Sequence, residues 1–112
     1  MSNQTKGAAG EKAACAYLKK KGYDILERNH RNPFGEIDII AVNDDALVFC
    51  EVKLRGSEAF GRPREAVTAT RAARYRRAAE LYVRMNSYRG IPLRFDVIEV
   101  LKGEITHLEN AF

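Results

Sequence analysis

Apolar and polar positions alternate twice in quick succession between residues 36 and 55, and this double alternation organises the chain. In the first run Ile37, Ile39 and Ala41 oppose Asp38, Ile40 and Val42. In the second, Val48, Cys50 and Val52 oppose Leu47, Phe49, Glu51 and Lys53. A period of two is the signature of a β-strand. The pattern predicts strands over 36–43 and 46–55, joined by a two-residue loop at Asp44-Asp45. Such a loop pairs residues whose numbers sum to 89 and sets Asp38 opposite Glu51 on one face. Facing Cβ atoms in that arrangement lie about 4.5–5.5 Å apart. Lys53 falls one pleat further along the same face. The opposite face, Ile37, Ile39, Ala41, Val48, Cys50 and Val52, is wholly apolar and is expected to pack on a helix.

Helical spacing predicts a first helix over residues 6–22, with Thr5 as a cap and Gly22 as its stop. Residues 23–31 read as a strand and the Gly-flanked stretch 56–62 as a loop. Pro63, a good first helical residue, is expected to open a long helix reaching about Ser87. Residues 93–100 form a fourth strand, and a turn at Lys102-Gly103 leads to a short fifth, Glu-Ile-Thr-His-Leu. The order α-β-β-β-α-β-β puts a helix between strands. That permits a crossover and predicts an α/β (α+β) domain over residues 1–112, with a mixed sheet and helices on its faces.

Composition narrows the class. The chain has 112 residues, 46% of them hydrophobic and 30% charged, enough for one small core. No apolar run approaches the ~18–20 residues of a membrane span, so no membrane association is expected. The N-terminal stretch lacks a signal-peptide core, and a cytoplasmic location is the expectation. Cys15 and Cys50 both sit on apolar faces without a metal-ligand partner at short spacing, and read as reduced core residues. The net charge is only +4, but residues 53–94 hold eleven Lys/Arg against three acids. Such a run is either a solvated helix face or a surface for a polyanion. It begins at the carboxylate hairpin, which favours the polyanion.

Two carboxylates side by side in an apolar hairpin repel each other and lose hydration, so they call for a cation. Mg²⁺ or Mn²⁺ suits such a pair, with waters and a phosphate completing its shell. A simpler arrangement also satisfies the pattern. The same register faces Glu36 with Lys53 in a cross-strand ion pair, and an arginine such as Arg31 or Arg94 would hold Asp38. Glu11 lies on the same helical stripe as Ala8, Cys15 and Leu18. It is either a carboxylate favoured near a helix start or a third acid reaching the same site.

The motifs Gly10-Glu11, GEIDII (35–40), FCEVKLR (49–55), GRPREAV (61–67), RFDVIEV (94–100) and HLENAF (107–112) resemble the small bacterial YraN-like family over nearly the whole chain. That family is similar to archaeal Holliday junction resolvases within the restriction-endonuclease-like, PD-(D/E)xK, superfamily. The resemblance implies a restriction-endonuclease-like core. It matches Glu11 to the resolvases' helix-1 glutamate, Asp38 and Glu51 to metal ligands and Lys53 to the catalytic lysine. Ile37 stands where the motif's name has proline. The chemistry implied is metal-assisted phosphodiester hydrolysis of DNA, with RNA as an alternative polymer. Mg²⁺ or Mn²⁺ would be held by Asp38, Glu51 and the Val52 carbonyl. Lys53 would steady the attacking water or the developing charge. Arg55, Arg62, Arg64, Arg71 and Arg74 would grip flanking phosphates. Resolving a four-way junction takes two cuts, so a homodimer is expected. The alternative is a nucleic-acid-binding module that acts through a partner without cleaving.

Overall fold

The computed structural model describes residues 3–55 and 68–112. Helix α1 (Asn3–Lys20) is followed by strands β1 (Asp24–Asn32), β2 (Gly35–Asn43) and β3 (Ala46–Arg55). Helix α2 (Ala69–Met85) then leads to β4 (Leu93–Leu101) and β5 (Glu104–Leu108). The strands form one five-stranded sheet in the order β1-β2-β3-β4-β5. All neighbours are antiparallel except β3 and β4, which run parallel. The expected mixed sheet and element order are present. The crossover through α2 is what makes the β3–β4 pair parallel.

Each helix covers one face. On the first, Ala14, Cys15 and Leu18 of α1 pack with Ile39, Ala41, Val48, Cys50 and Ile98. On the second, Tyr75, Ala78, Ala79 and Tyr82 of α2 pack with Ile40, Leu47, Phe49 and Phe95. The spacing 75, 78, 79, 82 is one helical stripe, which leaves the α2 arginines on the outer surface. Both cysteines are buried and free, as their apolar surroundings predict. Among the described residues no helix is long and apolar enough to cross a membrane.

Local chemistry explains the boundaries. Helix α1 ends in a Schellman turn: Gly22 takes φ +94°, Tyr23 N–H donates to the Leu18 carbonyl, and Gly22 N–H donates to that of Lys19. The β2–β3 hairpin has the expected register, from Asn43↔Ala46 to Ile39↔Cys50. Asp44, at the first loop position, accepts the positive φ of 54° that the tight turn imposes. At Lys102-Gly103 both residues have positive φ, 51° and 82°, as a two-residue β4–β5 turn requires.

The start of α2 differs from the sequence expectation. The expected loop over 56–62 and Pro63 fall within residues 56–67, outside the described residues. A helix running unbroken from Pro63 is nevertheless overturned, because Thr68 is extended at φ −78° and ψ 166°. Its Oγ1 accepts from Arg71 N–H at 3.1 Å, so Thr68 is the N-cap and the helix begins at Ala69.

Candidate functional site

The β2–β3 ladder stops at Ile39↔Cys50, one pair short of Asp38 and Glu51. Alternation of hydrogen-bonded pairs, counted from the hairpin turn, would give Val52 N–H the carbonyl of Ile37. Instead Val52 N–H donates to Asp38 Oδ2 at 2.8 Å. The Asp38 carboxylate therefore occupies the seam where the two strands part. Tyr75 of α2 enters the same seam. Its hydroxyl donates to the Cys50 carbonyl at 2.6 Å and accepts from Asp38 N–H at 3.2 Å. On the other side of β2 the ladder with β1 skips the Asn29–Asp38 pair, and Asn29 has φ 53°.

This break corrects one expectation. Ile37 packs in the α2-side core, apart from Ile39 and Ala41, which pack under α1. Strict alternation fails at Asp38 because a side chain has taken the place of a ladder partner.

Glu51 meets the seam from β3. Its side chain is only 3% exposed, beneath a cleft of about 210 Å³ lined by Gly35, Glu36, Asp38, Glu51, Arg71, Arg74 and Tyr75. Lys53 Nζ lies 3.1 Å from Glu51 Oε2, and Arg71 Nη2 lies 2.6 Å from the same oxygen. Neither cation approaches along a hydrogen-bonding direction, so among the described residues this buried oxygen has ion-pair neighbours but no aligned donor. Burial pushes the Asp38 carboxyl up to about 7; the Val52 N–H opposes this, while the charges of Glu51, Glu11 and Glu36 add to it. A larger cavity of about 490 Å³, between Glu80 and Leu93, has no such carboxylate pair.

Asp38 and Glu51 thus line one cleft with Arg71 and Arg74, and Lys53 reaches Glu51, although the facing Asp38–Glu51 ladder pair that the hairpin register predicts is not formed. Among the described residues the simpler ion-pair arrangement is absent: Glu36 pairs with Arg31 at 3.3 Å, Arg94 pairs with Asp96, and Lys53 turns to Glu51. Arg55 does not face the cleft as a free cation, because Glu99 of β4 holds its Nε at 2.8 Å. The parallel neighbour that supplies Glu99 cannot be read from the hairpin alone. Arg62 and Arg64 lie outside the described residues. Glu11 is half-buried on α1, near enough for its charge to act on Asp38. Gly10 beside it lets α1 approach β3, since a Cβ there would stand 3.2 Å from Leu54 Cβ. Among the described residues no three His, Cys, Asp or Glu side chains gather as a metal-binding group, so Glu11 does not complete a three-acid cluster.

Tyr75 is the site residue that sequence reasoning missed. It occupies a core stripe otherwise built of alanines and Tyr82, where an aromatic reads as packing. The available signal was a phenol in that stripe, since a buried hydroxyl needs a partner.

The class these features define is a small mixed α/β domain with a carboxylate pair set in a splayed hairpin beside an arginine-bearing helix. A family model described as "Uncharacterised protein family UPF0102" matches residues 10–100. The chain is 49% identical to a UPF0102 protein of Alkaliphilus oremlandii, covering 98% of this chain and 99% of that one. It is 46% identical to one of Clostridioides difficile over the full length of both. A third, from Thermodesulfovibrio yellowstonii, is 47% identical over 95% of this chain and 94% of the relative. The chain belongs to the UPF0102, or YraN-like, family.

Proposed function

We propose that this protein is a metal-dependent endonuclease with a restriction-endonuclease-like core, acting on DNA and selective for branched or flapped structures. The observation that carries this reading is the buried Glu51 Oε2. It lies beside a second carboxylate whose proton affinity is raised, in a cleft edged by arginines. A structural ion pair ordinarily satisfies its buried oxygens with aligned donors; this oxygen has none among the described residues.

Two carboxylates with room for water and a phosphate oxygen suit Mg²⁺ or Mn²⁺, whose preference is for hard oxygen ligands. Asp38 and Glu51 would hold the ion, with the Val52 carbonyl as a further oxygen ligand. Bound there, the ion supplies charge that polarises a phosphodiester and acidifies water. The chain's own residues do the rest. Val52 N–H and Tyr75 fix Asp38 in the seam, so its carboxylate needs no reordering when a ligand arrives. Lys53 Nζ, 3.1 Å from Glu51 Oε2, would stabilise negative charge building on the phosphate. Arg71 and Arg74 orient the phosphate backbone through their guanidinium forks. Glu11 adds negative potential from the α1 side.

A second reading is a nucleic-acid-binding module that works through a partner. The outward arginine face of α2 supports it equally well. It offers no use for the paired carboxylates, so we rank it lower.

The test is a cleavage screen over single-stranded, duplex, flap and four-way-junction DNA, with RNA counterparts, in Mg²⁺ and in Mn²⁺. Cleavage by the wild type, lost in Asp38→Asn, is expected. Lys53→Ala should retain metal binding but lose roughly 10²–10³-fold in single-turnover rate. If no substrate is cut under either ion, yet the arginine face still binds nucleic acid, the binding-module reading replaces the enzyme.

A further inference from the structure

Arg71 is joined to the buried oxygen that the proposed cation would need. Its Nη2 stands 2.6 Å from Glu51 Oε2, the shortest cation contact that oxygen has among the described residues. The Arg71 side chain is 53% exposed, while that of Glu51 is 3% exposed. One partner is fixed in the core and the other is largely in water on a long, flexible stem. Thr68 anchors the Arg71 backbone in the first turn of α2, so the guanidinium can turn without moving the helix. The contact is close but not aligned as a hydrogen bond. It supplies charge to Oε2 without meeting that oxygen's directional preference, which makes it replaceable. Arg71 and Arg74 line the same 210 Å³ cleft, where a phosphate bound beside the carboxylates would lie within the guanidinium's range.

We propose that Arg71 is an exchangeable counter-ion: it holds Glu51 until a divalent cation takes that oxygen, then turns to a phosphate of the nucleic acid. This rests on the cation-dependent nuclease reading and deepens it. Two consequences follow. Arg71 competes with the cation for Glu51, so removing its charge tightens cation binding. Arg71 also couples the two ligands, because a cation at Glu51 releases the guanidinium for phosphate. The coupling is reciprocal, since each ligand favours the same Arg71 position. Lys53 is less suited to this exchange. It is 24% exposed, stands 3.1 Å from Oε2 and shares the β3 backbone with Glu51.

The experiment has two arms. In the first, Mn²⁺ alone is titrated by calorimetry into the wild type, Arg71→Gln and Arg84→Gln. Arg84→Gln removes the same charge from the last turn of α2. It lies about 20 Å along the helix from Arg71, beyond the screening length at physiological salt. Arg71→Gln should bind Mn²⁺ roughly three- to tenfold more tightly than the wild type, the scale of one partly screened charge contact. Arg84→Gln should stay within about twofold, as expected for screened charges. Equal or weaker binding by Arg71→Gln overturns the competition.

In the second arm, affinity for a short duplex oligonucleotide is measured with and without Ca²⁺ at constant ionic strength. The gain on adding Ca²⁺ should be smaller in Arg71→Gln than in the wild type. An equal gain overturns the hand-over to phosphate. Failure of the underlying reading looks different. The wild type would then show no saturable Mn²⁺ binding, or binding that survives Glu51→Gln, and the proposal would fall with it.

Discussion

Two carboxylate centres lie in the same sheet and are treated in opposite ways. Asp96 of β4 is fully buried, and donors surround it. Arg94 Nε and Nη2 reach it at 3.0 and 2.9 Å, His107 Nε2 lies at 2.7 Å, and Asn110 N–H donates at 3.1 Å. Burial alone would raise its pKa. The His107, Arg94 and Asn110 hydrogen bonds outweigh burial and hold it below the usual carboxylate range. In the β2–β3 seam, Asp38 has one backbone donor and a raised pKa, and Glu51 Oε2 has no aligned donor. Burial is common to both centres, so burial does not mark function. The number and direction of donors separates them. A saturated acid is a structural tie, here joining β4 to β5 and to the tail. The unsaturated pair is the feature from which we propose a ligand site.

The largest effect that would sharpen this contrast is expected at the saturated centre. Asp96→Asn leaves the half-buried Arg94 and His107 without their anion. Breaking a buried pair in this way commonly costs about 3–5 kcal/mol, and the melting temperature should fall by roughly ten degrees or more. The depressed Asp96 pKa also fixes a sign. Its stabilisation is present above the unfolded carboxylate pKa and is lost as pH falls through the lower folded value. Acid unfolding of Asp96→Asn should therefore lack that part of the pH dependence. A melting temperature within a degree or two of wild type would make Asp96 no tie at all.

At the unsaturated centre the sign reverses. Asp38 has a folded pKa of about 7 against an ordinary value of 3.8, so the folded state holds the proton more tightly. The site is most comfortable below the unfolded pKa, and its contribution is lost as pH rises through about 7. Asp38→Asn keeps an acceptor for Val52 N–H and removes the charge. It should raise the melting temperature at pH 8 by a few degrees, on the order of 1–2 kcal/mol after solvent screening. At pH 5, between the two pKa values, the gain should fall to less than half, and it should vanish only below the ordinary value of 3.8. Thermal melts at the two pH values check this, and destabilisation at pH 8 would show that Asp38 is a structural acid like Asp96.

Tyr75 gives the smallest expected change. Tyr75→Phe removes the hydroxyl that bridges the Cys50 carbonyl and Asp38 N–H. The loss should be about 1 kcal/mol, with faster amide exchange at Asp38 and Val52. Unchanged exchange at both would mean that the seam stays open without Tyr75.

The contrast also shows what could be read in advance. The hairpin was legible because a two-residue loop and a period of two leave one register, which holds from Asn43↔Ala46 to Ile39↔Cys50 and brings Asp38 and Glu51 to the end of the ladder. Helix α1's end was legible because Gly22 is the residue a Schellman turn requires. The break at Asp38 was not, since it arises when a side chain displaces a ladder bond, and Ile37 changes faces as a result. Asp96 was passed over because its partners His107 and Asn110 come from the next strand and the tail, 11 and 14 residues on. Arg55 read as a free cation because its partner Glu99 sits on a strand reached only through the parallel crossover. Thr68 was overlooked as a cap because Pro63 offered an earlier helix start. Local periodicity carried the local pairings; contacts made by the crossover and tail needed the fold.

We propose the Asp38–Glu51 seam, and not the Asp96 centre, as a divalent-cation site. Calorimetric titration of Mn²⁺ into the wild type and Asp38→Asn, at pH 8, tests it most directly. One saturable site is expected in the wild type, lost or greatly weakened in Asp38→Asn while that variant remains folded. Absence of saturable binding in the wild type, or equal binding in Asp38→Asn, would contradict it.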